Sequence, residues 1–203
     1  MISNLHTAAH NSPVPEDSVK SLDHILDIYS DDNALLNRLG AYITEGLLNG
    51  EAVVNIATKE HSSLLASYFT DIGFDINLYK QSGKYFQLDA VETLEMFMVD
   101  GWPSEKLFNY TIESVLYKTG YPVTTVRAFG EMVAILWKNG DHAATVQLEE
   151  LWNRFCSQHN LQLYCAYHRN SFQHELASSL QHICHAHTSI IGVDEKTGLI
   201  AKA

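Results

Sequence analysis

Two hydrophobic rhythms alternate along the chain. Short apolar runs, "HILDIY" (24–29), "EAVVNIA" (51–57), "VTTVRAF" (123–129) and "LQLYCAY" (161–167), read as strands buried on both faces. Between them apolar residues recur every three to four positions, as on one face of a helix. Leu35, Leu36, Leu39, Ile43, Leu47 and Leu48 do so within 31–50, with Asp31 or Asp32 placed to cap the start and Gly50 the end. Further helices are predicted over 59–73, 91–101, 104–120, 130–140, 143–159 and 171–187, the second and third split by Pro103. "FDINLYK" and "KYFQLDA", around Gly83, and "TSIIGV" complete the expected strands. Residues 1–20 hold two close prolines and no periodicity, and are expected to form a flexible tail ahead of a single domain over 21–203.

Strands alternating with helices predict an α/β fold: a mostly parallel sheet with helices on both faces. Ligands of such folds bind beyond the carboxyl ends of the strands. That rule gathers Tyr29 and Asp31 after the first strand, Thr58, Lys59 and His61 after the second, and Asp89 after "YFQLD". It adds Arg127, Phe129, Gly130 and Glu131 from 123–131, and Tyr167 and His168 from "LYCAYH". The ligand-binding set expected from this is Tyr29, Thr58, His61, Arg127, Phe129, Glu131, Tyr167 and His168. His61, Arg127, Glu131 and Tyr167 are expected to supply polar contacts, and Phe129 and Trp137 apolar walls.

Composition narrows the partners. The 203 residues are 46% hydrophobic and 18% charged, enough apolar surface for a folded core. The formal net charge of −11 repels both phosphate backbones and anionic lipid, so neither nucleic acid nor membrane is an expected partner. The N-terminus lacks a basic-then-apolar signal and no apolar run approaches bilayer length, so a cytoplasmic protein is expected. Three cysteines do not make a disulfide framework and are read as reduced thiols.

Catalytic chemistry finds little support in the sequence. "IATKEHSS" (56–63) joins a strand to a helix, where a phosphate loop belongs, but it has no glycine to let backbone N–H groups reach a triphosphate. No serine elbow is present, and Cys165 within "LYCAY" reads as a small buried hydrophobe. "HICHAH" (182–187) pairs His182 with His185 and Cys184 with His187 on a helix. With Cys165 and His168 from a strand end, Cys184 and His187 offer zinc-type donors, though at no standard module spacing, so neither metal nor cofactor is expected.

Taken together, "HILDIYSDD", "EGLLNGEAVVNIATKEH", "GKYFQLDAVETLEMFMVDGWP", "VRAFGEMVAILW", "LEELWNRF", "LYCAYH" and "ICHAH" resemble the MEDS family, from about His24 to Ile191. This sensory domain is named from methanogens, methylotrophs and a dichloromethane-responsive regulator. The resemblance implies a RecA/KaiC-like three-layer sandwich without a working phosphate loop. It implies a non-enzymatic sensor of small organic molecules such as hydrocarbon derivatives, working with a histidine kinase or an anti-sigma-type regulator. A ligand-independent interaction or oligomerisation module and a degenerate nucleotide-binding protein stand as alternatives, and a homo-oligomer fits either. Output domains accompany other members of the family, and none is expected within 203 residues.

Overall fold

The computed structural model describes residues 24–159, 161–172 and 177–192. The expected tail, 1–20, lies outside them. In chain order the strands are β1 (His24–Tyr29), β2 (Ala52–Ala57), β3 (Tyr85–Asp89), β4 (Met98–Val99), β5 (Trp102–Pro103), β6 (Val126–Gly130), β7 (Leu161–His168) and β8 (Ser189–Ile191). The helices are α1 (Asp32–Leu48), α2 (Lys59–Asp71), α3 (Ile76–Gln81), α4 (Ala90–Glu95), α5 (Glu105–Lys118), α6 (Met132–Lys138), α7 (His142–His159) and α8 (Ala177–Ala186). A 3₁₀ turn, Arg169–Phe172, follows β7.

Six strands form one sheet in the order β3-β2-β6-β7-β1-β8, with every pairing parallel. Parallel neighbours need crossovers, and right-handed crossovers decide which face each helix covers. The chain moves one way across the sheet from β1 to β2 to β3, then returns through β6 and β7 to β8. The first connections therefore cover one face and the later ones the other. The two cores follow that division. Leu35, Leu39 and Ile43 of α1 pack with Val53, Phe129 and Tyr164. Phe108 of α5 and Leu148, Trp152 and Phe155 of α7 pack with Leu26, Val54, Ala128 and Leu163 on the opposite side. Strand residues thus alternate between two cores, which is why β2 is buried at all six positions.

Two expected elements differ. "FDINLYK" is not a strand: its last five residues, from Ile76, lie in the helix α3. Asp75 accepts the Asn77 N–H at 3.0 Å and caps that helix, and Tyr79 stacks on Phe74 with centroids 5.2 Å apart. The alternating Phe74, Ile76 and Leu78 imitate a strand, but Leu78 is exposed. The helix expected over 91–101 stops at Glu95, and the chain turns through Asp100 (φ 49°) and Gly101 (φ 82°) to pair β4 antiparallel with β5. An Asp-Gly pair is a two-residue hairpin signal, and it overrides the helical spacing there.

Candidate functional site

The central strands β2, β6, β7 and β1 end together, and a cavity of about 620 Å³ opens at their carboxyl ends. Tyr29 enters it from the last position of β1, and Thr58 and His61 from the start of α2. Glu131 comes from just past β6, and His168 from the end of β7. These are five of the eight expected ligand residues, drawn from four strand ends by topology alone.

A carboxylate sits at the centre. Glu131 Oε1 accepts from His61 Nδ1 at 2.6 Å, and its Oε2 accepts the Thr58 backbone N–H at 2.7 Å. The far ring nitrogen of His61 lies 3.6 Å from Asp32 Oδ1. The Glu131 hydrogen bond, working against burial and helped by the Glu131 and Asp32 charges, raises the His61 pKa above its ordinary value. Tyr29 meets His168 edge-on at 5.2 Å and His61 at 6.3 Å. Burial, then the Glu131 and Asp32 carboxylates, push its hydroxyl pKa up, so the phenol stays a neutral donor.

Three backbone donors that a phosphate could use are taken by the chain's own side chains. Asp31 Oδ1 accepts the Ala34 N–H at 3.0 Å and caps α1, and Thr58 Oγ1 accepts the His61 N–H at 3.3 Å and caps α2. Glu131 takes the Thr58 N–H. At the starts of α1 and α2 these three donors are taken by the chain's own oxygens, and neither turn carries a glycine.

The other three expected residues lie elsewhere, because position on a strand decides both face and depth. Arg127 is near the amino end of β6, where it bonds Glu51, Glu45 Oε2 at 3.2 Å and the Tyr42 carbonyl at 3.3 Å. Phe129 is fully buried against Tyr164 in the α1-side core. Tyr167 is fully buried on the other face and donates to Glu149 Oε1 at 2.5 Å. Asp89 caps α4 instead, and Lys59 lies 3.9 Å from it beside a separate groove over β3. Residues not expected also line the cavity: Asp32, Glu60, Lys138, Asn139, Asn170 and Ser171. Asp32 and Glu60 open α1 and α2 beside residues that the strand-end rule gathers, while Lys138, Asn139, Asn170 and Ser171 sit at the end of α6 or in the 3₁₀ turn, beyond its reach.

The zinc-type candidates part company as well. His168 belongs to the cavity, beside Tyr29. Cys184 is half-buried against the α7-side core. Cys165 and His187 do meet, but in the company of His24 and Glu149.

A six-stranded parallel sheet covered on both faces, with its crevice at the strand ends and no phosphate loop, is a RecA-like α/β sandwich. A KaiC-like protein from the hyperthermophilic archaeon Pyrococcus horikoshii has the same fold: the two superpose with a TM-score of 0.57 over 83% of this chain and 71% of that one, at 14% identity. Likeness at that identity is one of fold alone. No curated protein matches the sequence. The profile of the MEDS family, described as the methanogen/methylotroph, DcmR sensory domain, matches residues 23–188, and the chain belongs to that family.

Proposed function

We propose that this chain is a non-enzymatic sensory domain whose strand-end crevice binds a small organic ligand and relays its presence to a signalling partner. The observation that carries the reading is the Glu131 carboxylate, which receives the Thr58 N–H where a nucleotide-binding relative would present free donors to phosphate. A crevice holding Asp32, Glu60 and Glu131 disfavours an anion. A neutral or cationic molecule of a few carbons, a hydrocarbon derivative with one polar group, suits Tyr29, His61 and His168 around apolar ring faces. Binding changes the partner only through different affinities for two conformations of the domain. The partner we favour is a histidine kinase or an anti-sigma-type regulator. Among the described residues no helix is long and apolar enough to cross a membrane.

Native mass spectrometry tests the reading. The chain is incubated with short-chain alcohols, amines and halogenated hydrocarbons, and His168→Ala is run beside it. One organic adduct per chain, weakened in the variant, is expected. Adducts of equal strength on both proteins, or none from any class, overturn it.

A further inference from the structure

On the α7 side of the sheet, well inside the core, four donor side chains from four elements converge. They are His24 of β1, Glu149 of α7, Cys165 of β7 and His187, just past α8. His24 Nε2 lies 3.4 Å from Cys165 Sγ and 3.5 Å from Glu149 Oε2. His187 Nε2 lies 3.5 Å from the same Glu149 oxygen, and Cys165 Sγ 3.7 Å from it. All four donor atoms lie within 4.8 Å of one another. Around a tetrahedral ion with bonds of about 2.0–2.3 Å, neighbouring ligand atoms stand roughly 3.3–3.7 Å apart. The four separations above fall in that interval.

The second shell points the same way. His24 Nδ1 donates to the Ala186 carbonyl at 2.9 Å and His187 Nδ1 to the Ile183 carbonyl at 2.6 Å. Each backbone bond fixes the tautomer that leaves an Nε2 lone pair turned toward the cluster, as outer-shell partners of metal-bound histidines do. Tyr167 holds the other oxygen of Glu149. The His187 side chain is 0% exposed, and its Nε2 has no hydrogen-bond partner. A buried ring nitrogen of that kind calls for an explanation. Its contact with Glu149 Oε2, at 3.5 Å, is too long for a good hydrogen bond, and an ion at the centre of the four atoms gives that nitrogen a bonded partner.

We propose that His24, Glu149, Cys165 and His187 bind one divalent transition-metal ion, with zinc the best match to a two-nitrogen, one-sulfur, one-oxygen tetrahedral set. Four protein ligands close the coordination sphere, so the role is structural: the ion ties the end of α8 to β1, β7 and α7. Cys165 gives its thiol proton to solvent on binding, which makes affinity rise with pH. This inference stands apart from the crevice reading and does not depend on it.

Cobalt titration of the full chain tests it, after dialysis against a chelator. One equivalent of Co²⁺ is expected to produce a thiolate-to-cobalt charge-transfer band with intense tetrahedral d–d bands, and one equivalent of Zn²⁺ to abolish them. The double variant Cys156→Ala, Cys184→Ala and the single variant His168→Ala should keep the spectrum. His187→Ala should weaken binding at least about 100-fold, beyond the loss typical of an outer-shell contact. A folded wild-type chain without the thiolate band overturns the proposal, as does loss of the band in a double cysteine variant that circular dichroism shows to be folded. Either result decides the matter even where His187→Ala fails to fold.

Discussion

Replacing Glu131 by Gln isolates the contact on which the crevice turns. The carboxylate bonds His61 at 2.6 Å with both side chains about one-tenth exposed. A hydrogen bond between charged partners this well shielded contributes about 1.5–3 kcal/mol. The amide keeps an acceptor for Thr58 N–H but turns a donor toward the imidazolium. At pH 6 the variant should therefore lose about 2 kcal/mol, a fall of about 1 M in urea midpoint at an m-value near 2 kcal/mol/M. The pH dependence follows from linkage. The folded-state pKa of His61 is raised by Glu131, so its stabilisation is complete below the unfolded value of about 6.5 and is lost as pH rises through the folded value. Above that value a neutral histidine still donates to Glu131, and the difference between the proteins should shrink to about 1 kcal/mol or less. Urea unfolding of both proteins at each pH, with the His61 ring proton followed by NMR, measures this. Titrating groups remote from Glu131 cancel in the difference. A gap between the proteins that stays constant across the His61 titration would refute the reasoning.

Other consequences concern the frame that holds the crevice. Asp27 is fully buried, accepts from Arg38 Nη2 and Nε at 2.8 and 2.9 Å and takes the Tyr164 hydroxyl at 2.5 Å, so Asp27→Ala should cost about 3–5 kcal/mol in chemical denaturation. Trp152 is 1% exposed and meets Phe108 edge-on at 4.9 Å; Trp152→Ala should cost about 3–5 kcal/mol, read as a lowered thermal midpoint. Gly101→Ala forces a Cβ into a backbone with φ 82° and should cost about 1 kcal/mol or slightly more in urea, with the fold kept.

The alternation of strands and helices was legible because fully buried strands and amphipathic helices have different periods. The crevice was legible where a residue stands at the very end of its strand, as Tyr29 and His168 do, or opens the next helix, as His61 does. It was not legible one to four residues further back. Arg127, Phe129 and Tyr167 sit on strands that reach the cavity, but side chains alternate between two cores, and which residue clears the last hydrogen-bonded pair depends on register. Gly130 still pairs with Cys165, and the chain clears the sheet only at Glu131. The buried donor cluster was half visible. "HICHAH" and "LYCAYH" supplied His187 and Cys165, but local spacing favoured Cys184 and His168. His24 and Glu149 join through contacts 141 and 16 residues away in sequence from Cys165, which no motif carries. The Asp-Gly pair in "MVDGWP" is a turn signal set inside helical spacing, and the turn wins because φ is positive at both residues.

The measurement that bears most directly on the sensor reading is an amide chemical-shift footprint on the full chain. Two-dimensional NMR spectra would be recorded with short-chain alcohols, amines and halogenated hydrocarbons, and separately with MgATP at millimolar concentration. The account predicts saturable shifts from one of the organic classes, confined to residues 29–32, 58–61, 131–139 and 168–171, and none from MgATP. Saturable MgATP shifts at those positions, or organic shifts that avoid them, would contradict it.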